Sequence, residues 1–218
     1  MTRPADWNTI SRKLVAILRG LRPDETRSVT ARLIEAGFQA IEIPLNSPEP
    51  FQSLEIAVRT AEELSSGPCL IGSGTVLTKQ DVRRVAECGA TLAVSPNVDP
   101  EIIREARNLS LISMPGVFTA SEALTAAKAG ASALKFFPAS VLGASGISAI
   151  RAILPPDLNL CAVGGISEAD FADYAASGIS GFGLGSSLYA PGRSAEDVGS
   201  RADNIIQDYD RIFGSSTD

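Results

Sequence analysis

Short apolar runs of four or five residues recur along the chain, at residues 14–18, 40–44, 69–73, 92–95, 111–114, 133–137, 160–163 and 181–184. Each is followed by a turn signal and then by a longer stretch in which apolar positions return at helical spacing. The helical patterns cover residues 24–36, 79–88, 100–108, 120–129, 168–177 and 196–213. Eight alternating units of this kind predict a parallel sheet closed on itself, a single-domain α/β protein with the (β/α)8 TIM-barrel architecture over residues 1–218. Gly37, Gly89, Gly130 and Gly178 each end a helical pattern a few residues before the second, fourth, sixth and eighth runs. That is the place of a helix C-cap, and its recurrence suggests a repeated two-unit module. The competing fold is an open doubly wound sheet, which calls for a G-x-G-x-x-G turn after the first strand; the chain has none. Residues 1–13 are expected to form an N-terminal helix or cap and residues 214–218 a frayed tail.

Composition narrows the function classes. With 218 residues, 44% of them hydrophobic, the chain can bury one core. A net charge of -6 without any run of Lys or Arg removes the electrostatic footprint of a nucleic-acid binder. No segment has the apolar length of a membrane span or a secretory signal, so the expected location is cytoplasmic, with no membrane partner. Cys69, Cys88 and Cys161 are widely spaced in apolar contexts and read as reduced thiols. The chain has no histidine, which excludes imidazole-based metal sites and Ser/His or Cys/His chemistry, so no metal is expected.

Charged residues at the carboxyl ends of barrel strands point into the mouth, where chemistry is done. Lys135 lies in the apolar run Ala133-Leu134-Lys135-Phe136-Phe137-Pro138. Alternation puts Leu134 and Phe136 on one face and Lys135 and Phe137 on the other. If the first pair packs on helices, Lys135 faces the interior, where desolvation favours the neutral amine that attacks carbonyls. The other lysines, Lys13, Lys79 and Lys128, sit in contexts that ordinary solvent exposure explains. Glu42, between Ile41 and Ile43, points inward by the same rule and can shuttle protons, or form an ion pair with Lys135 or Arg19. Arg19, before Gly20, offers a planar fork to a substrate carboxylate, and Thr75 adds a hydroxyl or caps a turn. Two glycine-rich turns, Val163-Gly164-Gly165-Ile166-Ser167 and Gly183-Leu184-Gly185-Ser186-Ser187, occupy the recurrent phosphate site of such barrels, with Gly164, Gly165, Gly185 and Ser186 as its ligands.

These residues resemble one family, the 2-keto-3-deoxy-6-phosphogluconate and 6-phosphogalactonate aldolases, from about Leu14 to the last helix. The resemblance rests on Ile17-Leu18-Arg19-Gly20, Glu42-Ile43-Pro44-Leu45-Asn46, Gly74-Thr75-Val76, Ser95-Pro96-Asn97, Leu134-Lys135-Phe136-Phe137-Pro138 and Gly164-Gly165, in order. It implies Lys135 as Schiff-base lysine, Glu42 as general acid/base, Arg19 and Thr75 as carboxylate ligands, the glycine turns as phosphate cradle, and a homotrimer. A Schiff-base mechanism on lysine would require no organic cofactor, so none is expected. Pro96 and Phe137 would wall the pyruvate half of the substrate. Ala162-Val163-Gly164-Gly165 and the stretch 43–48 resemble the galactonate type, where gluconate-type members look like Pro-Thr-Gly-Gly. A Thr hydroxyl can bond a C4 hydroxyl of one configuration and Val163 cannot, so Val163 is the expected specificity residue. Ser95 departs from the Thr usual in that subgroup. The expected substrate is therefore a phosphorylated keto acid, 2-keto-3-deoxy-6-phosphogalactonate, with the gluconate epimer or 4-hydroxy-2-oxoglutarate as alternatives. An epimerase or isomerase on the same fold lacks the histidine ligands such enzymes commonly use, and a phosphometabolite-binding barrel without catalysis is the remaining reading.

Overall fold

The computed structural model describes residues 6–214, so the expected frayed tail lies outside the described residues except for Gly214. The strands are β1 (Leu14–Ile17), β2 (Ala40–Glu42), β3 (Leu70–Ser73), β4 (Leu92–Val94), β5 (Ile112–Met114), β6 (Gly116–Val117), β7 (Ala133–Phe136), β8 (Asn159–Val163) and β9 (Gly181–Leu184). All pair in parallel in the order β5-β4-β3-β2-β1-β9-β8-β7-β6. The two ends of that series adjoin Pro115 in the chain, so β5 and β6 are halves of one barrel strand. Proline has no N–H to give the ladder, which divides the strand there. The Gly116 amide donates to the Ser95 carbonyl on one side, and the Lys135 amide donates to the Pro115 carbonyl on the other, both at 3.0 Å. The barrel closes through these bonds, and the eight expected strands stand with the fifth divided in two.

Between the strands run α1 (Pro23–Ala36), α2 (Pro50–Leu64), α3 (Lys79–Glu87), α4 (Pro100–Asn108), α5 (Ala120–Ala129), α6 (Ala139–Arg151), α7 (Phe171–Ala176) and α8 (Ala195–Phe213). Two of these, α2 and α6, are not among the patterns named from the sequence. α6 is bent at Gly143, whose φ of 72° and ψ of 163° are not helical, and this bend hides its period. The expected helix over 168–177 begins as a 3-10 turn at Glu168–Asp170 before α7. Gly37 and Gly130 cap α1 and α5 in the left-handed conformation, and Gly89 and Gly178 take positive φ just past α3 and α7. Glycine is the residue for which that conformation carries no Cβ penalty.

The alternation along each strand builds two apolar layers. Outward side chains such as Leu14, Ala16, Ile41, Ile71, Leu134, Phe136, Ala162 and Phe182 pack on the helices. Inward ones, Val15, Ala40, Leu70, Leu92, Ile112, Ala133 and Cys161, fill the barrel. Residues 1–5 of the expected N-terminal helix or cap lie outside the described residues; within residues 6–13 a 3-10 turn, Trp7–Thr9, places Trp7 at the barrel floor together with Ile10. Lys13, read as an ordinary surface lysine, is half-buried at that floor. Its ammonium donates to the Trp7 carbonyl and lies 5.4 Å from the Trp7 ring centroid. No helix among the described residues is long and apolar enough to cross a membrane.

Candidate active site

At the carboxyl end of the barrel the strand ends enclose a cavity of about 200 Å³ lined by Ile17, Arg19, Glu42, Thr75, Pro96, Lys135, Phe137, Val163, Gly164, Gly165, Gly185 and Ser186, with Ile166 and Gly183. The catalytic, carboxylate, pyruvate-wall, specificity and phosphate residues expected from the sequence therefore all border one space. Larger hollows lie at the opposite end, around residues 64–69, but they hold no buried ionisable pair.

Lys135 and Glu42 are the buried charges of this cavity, 7% and 3% exposed. β7 presents Lys135 inward while Leu134 and Phe136 face helices, as the alternation requires. The Lys135 Nζ stands 5.0 Å from the Phe137 ring centroid. Burial pulls the Lys135 ammonium down to about 8; the negative charge of Glu42 opposes the fall and the positive charge of Arg19 adds to it. Burial pushes the Glu42 carboxyl up to about 7, against the positive charges of Lys135 and Arg19. The direct ion pair weighed for Glu42 is not formed within 4.0 Å among the described residues. Its Oε2 is buried with no hydrogen-bond partner. A buried carboxylate oxygen without a partner is costly, and it is the kind of group a reactant would satisfy.

Gly74 explains how that carboxylate fits. A Cβ at Gly74 would lie 1.8 Å from Glu42 Oε2, so the absence of a side chain after β3 is what leaves Glu42 its position. The next residue, Thr75, has φ of 56°, rare for a β-branched side chain and a form of strain that concentrates at functional sites.

Arg19 leaves the end of β1 and is held by a hydrogen bond from Nη1 to Asn46 Oδ1 of 2.6 Å. Beside it the Gly20 amide donates to Ser47 Oγ at 2.9 Å, so the loop after β2 fixes the loop after β1. Asn46 is not among the expected site residues, because a hydrogen bond between two loops leaves no mark on the local pattern of the sequence. Ile17, by contrast, follows from alternation with Val15 and Arg19 and could have been named.

Val163 ends β8, and Gly164 and Gly165 follow with φ of 94° and 71°. A Cβ at Gly164 would come within 2.9 Å of the Phe137 ring, so the turn can pass beneath that ring only as glycine. Past β9, the Leu188 and Tyr189 amides both donate to the Gly185 carbonyl, at 2.9 and 2.8 Å, which makes one helical turn that opens at Gly185 and Ser186. Such a turn leaves its first amides unpaired, here at residues that border the cavity, and suits an anion. Among the described residues no group of three or more Cys, Asp, Glu or His is placed to hold a metal ion.

Residues 8–199 match the family described as "Aldolase: KDPG and KHG aldolase". A protein of Rhizobium meliloti (strain 1021), named probable 2-dehydro-3-deoxy-6-phosphogalactonate aldolase, is 60% identical over 94% of this chain and 95% of its own length. The 2-dehydro-3-deoxy-6-phosphogalactonate aldolase of Escherichia coli (strain K12) is 42% identical over 93% of this chain and 97% of its own. Among solved structures, one described as "Native KDPGal structure" superposes with a TM-score of 0.87 at 42% identity, covering 91% of this chain and 95% of that one.

Proposed function

This chain belongs to the KDPG and KHG aldolase family, and from that premise we propose that it cleaves 2-keto-3-deoxy-6-phosphogalactonate to pyruvate and glyceraldehyde 3-phosphate through a Schiff base on Lys135. The observation that carries the reading is the buried Lys135 amine, its ammonium pulled down to about 8 by burial, sharing its cavity with the unpartnered carboxyl of Glu42.

In this reading the neutral Lys135 amine adds to the C2 ketone, and Glu42 in its acid form protonates the departing hydroxyl to give water and a protonated imine. The imine nitrogen is the electron sink. Glu42, now a carboxylate, removes the C4 hydroxyl proton, directly or through one water. The C4–O bond becomes the aldehyde carbonyl, the C3–C4 pair moves into the imine, and glyceraldehyde 3-phosphate departs from an enamine. Protonation at C3 and hydrolysis release pyruvate and restore the amine. Arg19, steadied by Asn46, and Thr75 hold the substrate carboxylate, while Pro96 and Phe137 wall the pyruvate carbons from water. Gly164, Gly165, Gly185 and Ser186 receive the phosphate on backbone amides.

Val163 supports the galactonate epimer, because its apolar side chain offers no hydrogen bond to a C4 hydroxyl of the other configuration. The names borne by the two relatives point the same way. The partner is thus a small phosphorylated keto acid, the location cytoplasmic, and the assembly a homotrimer. Exposed apolar side chains such as Leu77, Phe118 and Val141 supply surface for association.

The test is intact mass after incubation with pyruvate and borohydride. A stable adduct is expected on the unaltered protein and none on Lys135→Ala. An unaltered protein that gains no mass removes Lys135 from covalent catalysis and leaves a phosphate-binding barrel. Turnover of the two epimers by Val163→Thr decides the finer point: a shift toward the gluconate epimer is expected, and an unchanged ratio excludes Val163 as the discriminator.

A further inference from the structure

The helical turn over residues 185–189 is gripped from behind by two arginines outside the cavity. Arg193 Nη1 donates to the Leu188 carbonyl at 2.6 Å, and Arg201 Nη1, from α8, donates to the Ser187 carbonyl at 3.2 Å. Both belong to a polar hollow with Asp197, Ser200 and Asn204. Among the described residues neither guanidinium forms an ion pair within 4.0 Å, although Asp197 borders the same hollow. Six other arginines in the structure do pair with carboxylates. Arg193 is partly buried, and its own amide donates to the Ala190 carbonyl at 3.0 Å, which folds the chain back so that the guanidinium reaches the turn. The far side of the loop is fixed as well, since Pro191 packs on Gly20, where a Cβ would lie 2.7 Å from Pro191 Cγ.

A single helical turn has its amides at one end and its carbonyls at the other, and the two ends are linked by the alignment of the peptide dipoles. Cations bonded to the carbonyl end hold that alignment and favour an anion at the amide end. No protein acceptor is found among the described residues for the Gly185, Ser186 and Ser187 amides, at which the turn opens. Ser187 Oγ is buried there without a partner.

We propose that Arg193 is a positioning residue for the phosphate end of the substrate: through the Leu188 carbonyl it orients the turn whose amides at Gly185 and Ser186 receive the phosphate. Arg201 is a second strut on the same turn. This rests on the phosphate cradle assigned under the function above. Arg193 itself touches no substrate, so its effect is confined to reactions that use the phosphate.

The experiment compares the unaltered protein, Arg193→Met, Arg193→Lys and Arg201→Met on 2-keto-3-deoxy-6-phosphogalactonate and on 4-hydroxy-2-oxoglutarate, which has no phosphate. Borohydride trapping with pyruvate is the third readout. Arg193→Met is expected to raise KM for the phosphorylated substrate roughly tenfold or more, as for a lost hydrogen bond to a charged group. Its kcat/KM on the unphosphorylated acid and its trapping stay close to those of the unaltered protein, Arg193→Lys recovers part of the loss, and Arg201→Met shows a smaller change of the same sign. Parallel losses on both substrates, or an unchanged KM, overturn the proposal while leaving the cradle in place. If the unaltered protein itself makes no distinction between the substrates, the cradle fails, and the role of Arg193 with it.

Discussion

Lys135 and Glu42 show how a residue's chemistry is set by its walls. Lysine in water holds its proton far above neutral pH; here burial brings Lys135 to about 8 and Glu42 to about 7, the range that the proposed proton transfers call for. The rate of borohydride trapping with pyruvate is therefore expected to climb with pH through a midpoint near about 8 and to level off above it, well below the range of a solvent lysine. Glu42→Gln removes the neighbouring charge that favours the ammonium, so the climb is expected at lower pH, while aldol turnover falls by about 10²–10⁴ as for a lost acid/base. A trapping profile that stays put or moves upward in Glu42→Gln would show that the two groups do not sense each other. Both residues were legible in the sequence, because a charge at an inward position of an apolar strand stands out against a period of two. Asn46 and Arg193 were not. They act through Arg19 and the Leu188 carbonyl, and a hydrogen bond between loops leaves no periodic trace.

The elements that carry these residues are specified largely by their ends. α5, which precedes the Lys135 strand, opens with a reciprocal cap: the Glu122 amide donates to Thr119 Oγ1, and the Phe118 and Thr119 amides donate to the Glu122 carboxylate at 2.8 and 2.9 Å. It closes at Gly130 in the left-handed conformation, from which β7 begins three residues later. Thr119→Ala is expected to lower stability by about 1 kcal/mol, seen as a lower urea midpoint with an unchanged slope. Turnover at room temperature should not change, since the cap lies outside the cavity. A matching fall in turnover would mean that α5 sets the height of β7, and not its stability alone. Caps and glycine stops made α4 and α5 readable to the residue. α6 escaped because Gly143 interrupts its period, and the fifth barrel strand came out divided because Pro115 cannot donate to the ladder.

At the scale of the whole molecule, the active site is a local weakness that the rest of the barrel carries. Glu42 has a folded value raised from 4.5 to about 7, so the folded protein binds more protons than the unfolded chain in that interval, and stability falls as pH rises through it. Lys135 is lowered from 10.5 to about 8, so its penalty is present below 8 and relaxes as pH climbs toward 10.5. Both penalties coincide between about pH 7 and 8. The double variant Glu42→Gln with Lys135→Met is expected to gain more stability at about pH 7.5 than at about pH 4, by on the order of 3 kcal/mol, read as Tm at about 2–4 °C per kcal/mol. Equal gains at the two pH values would sink this account. By itself the sequence determined the alternation of strand and helix, the helix stops, the inward face of each strand and the family, because all of these are written in spacings of a few residues. Only the tertiary structure decided that Ile17 and Ser186 border one cavity, that Gly74 makes room for the Glu42 carboxylate, and how far each acidity moves. Closure and desolvation depend on every wall of the barrel at once, and no local period encodes them.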